Sequence, residues 1–184
     1  MIKALAFIHK IDELSDNDFR NYYENSHAPL ASSLLSLEDY ERNYVNSELN
    51  PLYTSLGSIS IFKYQSMEAL DLIGKQMSSD AGDVLRNDET KFMNVPKNYF
   101  VLTRSDQLTE KKFNKKIFYS VNKKENLHLL DSYHGIKKIS DNLVIEPNEI
   151  VGIAEYGITQ EASLDTLEHL IREHPQAIIA SCVS

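Results

Sequence analysis

The stretch that decides the fold is residues 2–9, which reads Ile-Lys-Ala-Leu-Ala-Phe-Ile-His. Its pattern predicts a β-strand, and apolar side chains stand on both faces of that strand, with Lys3 as the early exception. Residues 57–64 repeat this property in a second predicted strand. A sheet built from such strands must be covered on both sides, because a large exposed apolar surface is unfavourable in water.

The elements around these two strands follow the order of a ferredoxin-like unit. Ser15 offers the N-cap of a first helix and Ser66 that of a second, since their hydroxyl oxygens can accept from free backbone N–H groups. Strands predicted over 39–47 and 99–102 complete the order β-α-β-β-α-β. Residues 78–97 are polar, and we predict an irregular segment there.

A shorter version of the same order follows in the second half of the chain. Residues 105–115 are charged and polar and are interpreted as a linker. Beyond them we predict two helices, over 126–133 and from an N-cap at Ser163, and four strands that begin near residues 117, 143, 150 and 177. The order of elements repeats, whereas the residues themselves do not.

These patterns predict an α+β protein made of two tandem ferredoxin-like (βαββαβ) units, residues 1–106 and residues 113–184. The two sheets would pack their apolar faces together as an α/β barrel, which is an intrachain pseudo-dimer with a cavity between the sheets. Pairing of each unit with a second chain, as a homodimer, is the open alternative.

Composition and charge exclude several classes of protein. Of the 184 residues, 42% are hydrophobic and 25% charged, which is ordinary for a soluble globular chain. Apolar runs are far shorter than the roughly 20 residues that span a bilayer, and the N-terminus does not resemble a secretory signal. The formal net charge of −8 opposes nucleic-acid binding. Cys182 is the single cysteine and cannot form an intrachain disulfide, which favours the cytoplasm.

Sequence motifs for common cofactors are also missing. The chain has no Gly-rich phosphate loop, no Gly-x-Ser-x-Gly elbow and no His-Glu-x-x-His motif. His169 and His174 are five residues apart, so a helix does not present them on one face as a zinc pair requires. We therefore expect neither a bound metal nor a cofactor.

The predicted helix and turn at residues 19–30 read Phe-Arg-Asn-Tyr-Tyr-Glu-Asn-Ser-His-Ala-Pro-Leu. This stretch resembles the EthD family of dimeric α/β-barrel proteins, which open with a strand, a Ser-initiated helix and a His-Ala-Pro-Leu turn. Residues 79–92 look like the family's segment before its last strand. The resemblance covers about residues 1–105 and implies a ferredoxin-like sheet that forms an α/β barrel. At residues 133–135 the Ala-Pro-Leu part of the turn is absent, so any site is expected in the first half.

His27 is the sharpest candidate for chemistry. Pro29 is expected to interrupt the helix there, because the residue before a proline is pushed out of the helical region, and the imidazole could then stand at the mouth of the cavity. An imidazole exchanges protons near neutral pH, which suits a general acid/base. The competing structural interpretation is that His27 only satisfies the carbonyls at a helix end.

Aromatic side chains on the strands predict a substrate pocket. We expect the substrate-binding residues to be Tyr23, Tyr40, Arg42, Tyr44, Phe62 and Tyr64. If the strand faces that carry them line the cavity, they form an aromatic, hydrogen-bonding pocket for a planar molecule, and Arg42 could polarise a carbonyl or phenolate oxygen. Packing in the core is the structural alternative for each of them. Asp88 and Glu89 are expected on a solvated surface beside Lys91.

These observations predict a small enzyme that acts on a hydrophobic, aromatic or polyketide-like metabolite. His27 would move a proton during dehydration, isomerisation or cofactor-independent oxidation. The alternative is a non-catalytic or stress-related barrel protein that binds a small ligand. A third interpretation, haem binding, requires a histidine that faces an open pocket of porphyrin size.

Overall fold

The computed structural model describes residues 1–109, 111–146 and 149–183, in which eight antiparallel strands close into one barrel. The strands are β1 (Ile2–His9), β2 (Asp39–Val45), β3 (Leu56–Tyr64), β4 (Tyr99–Gln107), β5 (Lys115–Val121), β6 (Ile136–Val144), β7 (Gly152–Ile158) and β8 (Ala177–Val183). The helices are α1 (Asp16–Tyr22), α2 (Ala28–Leu34), α3 (Met67–Met77), α4 (Asp80–Glu89) and α5 (Leu164–Glu173). Among these helices, none has both the length and the apolar character that crossing a bilayer demands.

Two four-stranded sheets with the same strand order make up the barrel. The first sheet runs β4-β1-β3-β2 and the second runs β8-β5-β7-β6, each in the antiparallel order of a ferredoxin-like unit. The barrel closes where β2 pairs with β8, at Val45 and Ala180, and where β4 pairs with β6, at Gln107 and Ser140. The predicted α+β fold, with tandem ferredoxin-like sheets joined as an α/β barrel, is therefore confirmed.

The barrel interior is packed rather than hollow at its centre. One apolar cluster joins both sheets and consists of Leu5, Phe7, Val45, Leu56, Ile59, Ile61, Phe118, Ile153, Ile178 and Ala180. Towards one end, four buried charged side chains replace the apolar ones: Lys3, Glu41, Lys116 and Glu155. The expected cavity between the sheets is therefore wrong for the middle of the barrel, because side chains from the two sheets meet there.

Residues 16–34 form one helical run instead of two pieces broken at Pro29. Helix α1 passes through a π-helical turn (Tyr23–His27) into α2, and His27 keeps helical dihedral angles of −71° and −50°. The predicted interruption is wrong. The N–H of Ala28 bonds to the carbonyl of Tyr23, five residues back, so the helix is already widened where the Pro29 ring would crowd a regular turn.

Two further sequence predictions need correction. Within the segment predicted as irregular, residues 80–89 form helix α4, which packs beside α3 and the π-helical turn. Residues 124–128 form a short 3₁₀ helix (Lys124–His128) rather than the predicted α-helix over 126–133. In contrast, Ser15, Ser66 and Ser163 all cap helices as predicted, with side chains that accept from backbone N–H groups.

Candidate functional site

His27 and Asp88 form a buried pair between the π-helical turn and α4. The Nδ1 atom of His27 lies 3.0 Å from Oδ2 of Asp88. The other carboxylate oxygen accepts from the Tyr22 hydroxyl at 2.7 Å and from the Lys91 ammonium at 3.2 Å. An ionised carboxylate can only accept, so Nδ1 of the imidazole carries the proton of this hydrogen bond and Nε2 keeps a lone pair when the ring is neutral.

Burial and hydrogen bonding set the protonation of this pair. Burial lowers the pKa of His27 below its usual value, and the hydrogen bond and charge of Asp88 oppose only part of that shift. Burial alone would raise the pKa of Asp88, but hydrogen bonds from Tyr22, His27 and Lys91 keep it below its usual value. At neutral pH the pair is a neutral imidazole bonded to a carboxylate, and Nε2 has no hydrogen-bond partner among the described residues.

An aromatic cluster surrounds the imidazole ring. The ring centroids of Tyr23 and Phe92 lie 5.1 and 5.0 Å from that of His27. Phe92 in turn contacts Phe19 at 5.5 Å and Tyr22 at 4.9 Å between centroids. His27 is only 5% exposed as a result, and this apolar packing is the desolvation that lowers its pKa.

Tyr23 connects the cluster to the outer face of the first sheet. Its hydroxyl lies 2.9 Å from Oγ of Ser60 on β3 and accepts from the Tyr40 hydroxyl on β2 at 2.7 Å. Burial raises the pKa of Tyr23, and it raises the pKa of Tyr40 well above the usual value. Both phenols therefore stay protonated, and they form a short chain of hydroxyl groups beneath the helical run.

Arg42 and Tyr44 are both bound to Glu24. The Arg42 guanidinium donates from Nε and Nη2 to the two Glu24 oxygens, at 3.0 and 2.8 Å, and from Nη1 to the carbonyl of Tyr40 at 2.7 Å. The Tyr44 hydroxyl donates to Glu24 at 2.6 Å. Burial would raise the pKa of Glu24, but these hydrogen bonds lower it overall. In this arrangement Arg42 positions Glu24 and has little of its guanidinium left for a substrate oxygen.

The two remaining predicted residues lie further along β3. Phe62 stacks on Tyr40, with 4.6 Å between centroids and 14° between planes. Tyr64 belongs to a separate apolar cluster with Ile2, Ala4 and Ile73, and burial raises its pKa to about 12. The structure thus brings together Tyr23, His27, Tyr40, Arg42, Tyr44 and Phe62, and it leaves Tyr64 apart.

These side chains face the helices and not the barrel interior. Tyr40 and Tyr44 contact Tyr23 of the π-helical turn, whereas Glu41 of the same strand bonds to Lys116 inside the barrel. The expectation that the aromatic face of β2 lines a cavity between the sheets is therefore wrong. The same packing leaves no room for a porphyrin at His27, so the site does not fit a haem group.

Sequence reasoning missed Asp88, which is 5% exposed rather than solvated. A signal for it does exist: Leu85, Asp88 and Phe92 are spaced i, i+3, i+7, which is one face of a helix, and Ser79 stands at the N-cap position. Glu24 was missed as well, because its partners Arg42 and Tyr44 lie on a strand far along the chain.

The closed barrel, with ferredoxin-like sheets and helices outside, is the architecture of the dimeric α/β-barrel class, here with both halves in one chain. The chain aligns over 100% of its length with 94% of a solved structure described as a proposed chlorite dismutase, with a TM-score of 0.59 and 11% identity. At this identity the likeness shows the fold alone. The chain therefore has the α/β-barrel fold that the resemblance implies.

Two other solved structures are similar. An EthD family protein from Bacillus halodurans C-125 matches 56% of this chain and 98% of its own, with a TM-score of 0.42 and 23% identity. A proposed monooxygenase from Lactobacillus acidophilus NCFM matches 98% of this chain and 93% of its own, with a TM-score of 0.49 and 12% identity. No protein-family profile and no curated protein sequence matches the chain.

Proposed function

We propose that this protein is a small-molecule enzyme in which His27 acts as a general acid/base through Nε2. The observation that carries the proposal is the His27–Asp88 pair, in which a carboxylate holds the Nδ1 proton of a neutral imidazole. A neutral imidazole with one nitrogen fixed in this way is prepared to accept a proton at the other nitrogen near neutral pH.

The surroundings of His27 favour a hydrophobic, aromatic or polyketide-like metabolite as the substrate. Tyr23 and Phe92 offer ring faces and edges beside the imidazole, and Phe62 stacks with Tyr40 at the sheet surface. Flat rings pack well against such groups, and buried phenols supply hydroxyl donors for a substrate oxygen. Dehydration, isomerisation and cofactor-independent oxidation all need a proton to be moved, which is the role of His27.

The other residues around His27 take supporting roles in this proposal. Asp88 orients the imidazole, and the hydroxyl groups of Tyr23 and Tyr40 bind a polar group of the substrate. Arg42 holds Glu24, which in turn fixes the Tyr44 ring against the aromatic cluster. Tyr64 extends the apolar surface beneath α3.

Proton exchange at an aromatic ketone tests the proposal without knowledge of the natural substrate. A general base beside a bound ketone removes a proton from the adjacent carbon, so deuterium from D2O enters that position. We expect the protein to accelerate deuterium uptake by 1-tetralone or by larger ketones of the same kind, as followed by proton NMR. In His27→Ala, the acceleration should fall by roughly a hundredfold or more.

Two controls make this result specific. His27→Gln keeps a side chain that can donate to Asp88 but cannot act as a base, so it should be as inactive as His27→Ala while its melting temperature stays closer to that of the unsubstituted protein. Lys123→Ala, on an exposed residue of the second unit, should retain full exchange. Equal exchange rates in the His27 variants and the unsubstituted protein would remove the proposed mechanism.

A non-catalytic ligand-binding or stress-related role is the second candidate. It is favoured by the close packing of His27, which is 5% exposed. His27 also lies outside two cavities of the protein, one lined in part by Lys116 and the other by Tyr119. The same ketones distinguish the two functions, because binding without deuterium uptake supports the second one.

We extend the proposal to the protein's location and assembly. The free cysteine, Cys182, suits a reducing compartment, which supports the cytoplasm. Each sheet already covers the inner face of the other within one chain, so the barrel itself does not need a second copy. A homodimer would therefore form through the outer surface.

A further inference from the structure

A cavity that His27 does not line lies at the end of the barrel where β1 and β5 begin. It has a volume of about 340 Å³, and both units contribute to its walls. We call it the mouth cavity and define it by its lining residues: Met1, Lys3, Asp39, Glu41, Lys63, Gln107, Lys111, Lys112, Phe113, Asn114, Lys116, Ile139, Glu155 and Cys182. The proposed function at the outer face makes no use of this space.

The floor of the mouth cavity consists of buried ion pairs. The Lys3 ammonium donates to Oγ of Ser140 and to Glu155, both at 3.1 Å. The Lys116 ammonium donates to Glu41 at 2.7 Å and to Glu155 at 2.8 Å. An ammonium group has three N–H donors, so the described residues leave one donor on each lysine without an acceptor. A buried charged donor without an acceptor is unfavourable, and oxygen atoms in the cavity would relieve this cost.

The rim of the mouth cavity adds positive charge. Of its five lysines, Lys3 and Lys116 pair with carboxylates of the floor, and Lys63 pairs with Asp39 at 2.7 Å. Lys111 and Lys112 have no carboxylate partner among the described residues. The mouth cavity therefore holds more positive than negative side chains, in a chain whose formal net charge is −8.

The segment between β4 and β5 is anchored at the mouth by Phe113. Its ring packs on Gly157 of β7, where a Cβ atom would lie 2.2 Å from Cγ of the ring. Only glycine leaves room for this contact, so the ring packs directly against the backbone of β7. This anchor keeps Lys111 and Lys112 beside the cavity, since they immediately precede Phe113.

We propose that the mouth cavity binds a small oxyanion, a compact molecule with carboxylate or phosphate groups. Its oxygens would accept from the free N–H donors of Lys3 and Lys116, and Lys111 and Lys112 would balance its charge. The charged groups of the floor are preorganised by their mutual hydrogen bonds, so binding requires little rearrangement. This site does not depend on the proposed function of His27, because the two are on different sides of the sheet.

Cys182 provides a reporter for this site. It is the only cysteine of the chain, it lines the mouth cavity, and burial together with Glu41 raises the pKa of its thiol to about 11. We expect succinate, inorganic phosphate or glycerol 3-phosphate to slow the modification of Cys182 by a thiol reagent, whereas glycerol should not. Added potassium chloride should weaken the protection, because salt screens the lysine charges.

A double variant locates the effect. Lys111→Ala with Lys112→Ala should raise the apparent Kd of the protecting anion by about tenfold, because two cations near the ligand are lost. Lys123→Ala with Lys124→Ala removes another adjacent, exposed lysine pair that does not line the cavity, and it should leave the Kd unchanged. Melting temperatures of both variants show whether the fold is retained.

The outcomes separate the possible ligands and test the proposal. Protection by succinate alone assigns the site to carboxylates, and protection by the two phosphate compounds alone assigns it to phosphates. The absence of protection by any of the three anions would show that the mouth cavity holds solvent only and would overturn the proposal. An equal loss of affinity in the two lysine variants would also overturn it, since the effect would then come from net charge.

Discussion

At the scale of the residue, His27 depends on a partner from another helix. Its pKa is lowered by burial among Tyr23 and Phe92, and Asp88 restores part of the lost basicity through one hydrogen bond and its charge. The carboxylate also determines which ring nitrogen carries the proton. The basicity of His27 thus depends on Asp88, which is 61 positions away in the sequence.

The contribution of Asp88 can be measured directly. Asp88→Asn removes a charge that raises the pKa of His27, so we expect that pKa to fall further below 6.5. Because the folded-state pKa lies below that of the unfolded chain, the stabilisation linked to His27 is complete above pH 6.5 and is lost as the pH falls towards the folded-state pKa. In Asp88→Asn the folded-state pKa is lower, so the loss of stability should extend to a lower pH. NMR titration of the His27 imidazole measures the change in its pKa.

Glu89→Gln is the matched control for Asp88→Asn. It removes one negative charge from the same helix, but Glu89 makes no contact with His27 that would set its protonation. The pKa of His27 should therefore stay unchanged in this variant. A pKa that rises or stays constant in Asp88→Asn would show that the carboxylate does not control the imidazole.

At the scale of the element, glycine decides how closely the first helix approaches the sheet. Gly57 is the second residue of β3 and lies beneath α1, and a Cβ atom there would lie 2.5 Å from the fully buried ring of Phe19. Gly57→Ala should lower the free energy of unfolding by about 1–3 kcal/mol, since the packed ring cannot move away without strain. Denaturant unfolding measures the change.

Gly74→Ala is the opposite case and serves as the control. Gly74 is exposed in the middle of α3, and a Cβ atom there would meet nothing within 4 Å. Alanine favours the helix and reduces the freedom of the unfolded chain, so this variant should stabilise the protein by about 0.4–1 kcal/mol. If both substitutions destabilised the protein equally, close packing at Gly57 would not be the cause.

Elements were easier to predict from sequence than the direction in which their side chains point. The bounds of β1 and the serine caps follow from local pattern, and the structure confirms them. The alternation of β2 correctly separates Tyr40 from Glu41, but it does not tell which of the two faces the barrel interior. Glu41 is inside because it pairs with Lys116, which lies 75 residues away in the other unit. No local pattern contains that information.

At the scale of the whole molecule, four charged side chains connect the two units inside the barrel. Glu155 of the second unit accepts from Lys3 of the first unit and from Lys116, which also bonds to Glu41 of the first unit. Buried ion pairs contribute little net stability compared with apolar packing, but the loss of one partner leaves a charge that is neither hydrated nor paired. If the two sheets met in another register, these buried charges would lose their partners. The cluster therefore favours the observed register between the sheets.

Glu155→Gln tests this role of the cluster. Burial would raise the pKa of Glu155, but Lys3 and Lys116 hold it at about 2, below the usual 4.5. Its stabilisation is thus present above about pH 4.5 and is lost as the pH falls towards 2. The variant should lower the free energy of unfolding by about 3–5 kcal/mol at pH 7, and the difference from the unsubstituted protein should shrink below pH 4.5.

An exposed ion pair gives the comparison for Glu155→Gln. Asp83→Asn removes a carboxylate that bonds to Arg86 at 2.8 Å on the surface of α4, and it should change the free energy of unfolding by less than about 1 kcal/mol. Urea unfolding of the three proteins at several pH values measures both effects. A difference that stays constant from pH 7 to pH 3 would mean that the pKa of Glu155 is the same in the folded and the unfolded protein, and the two lysines would then not hold this carboxylate in its charged form.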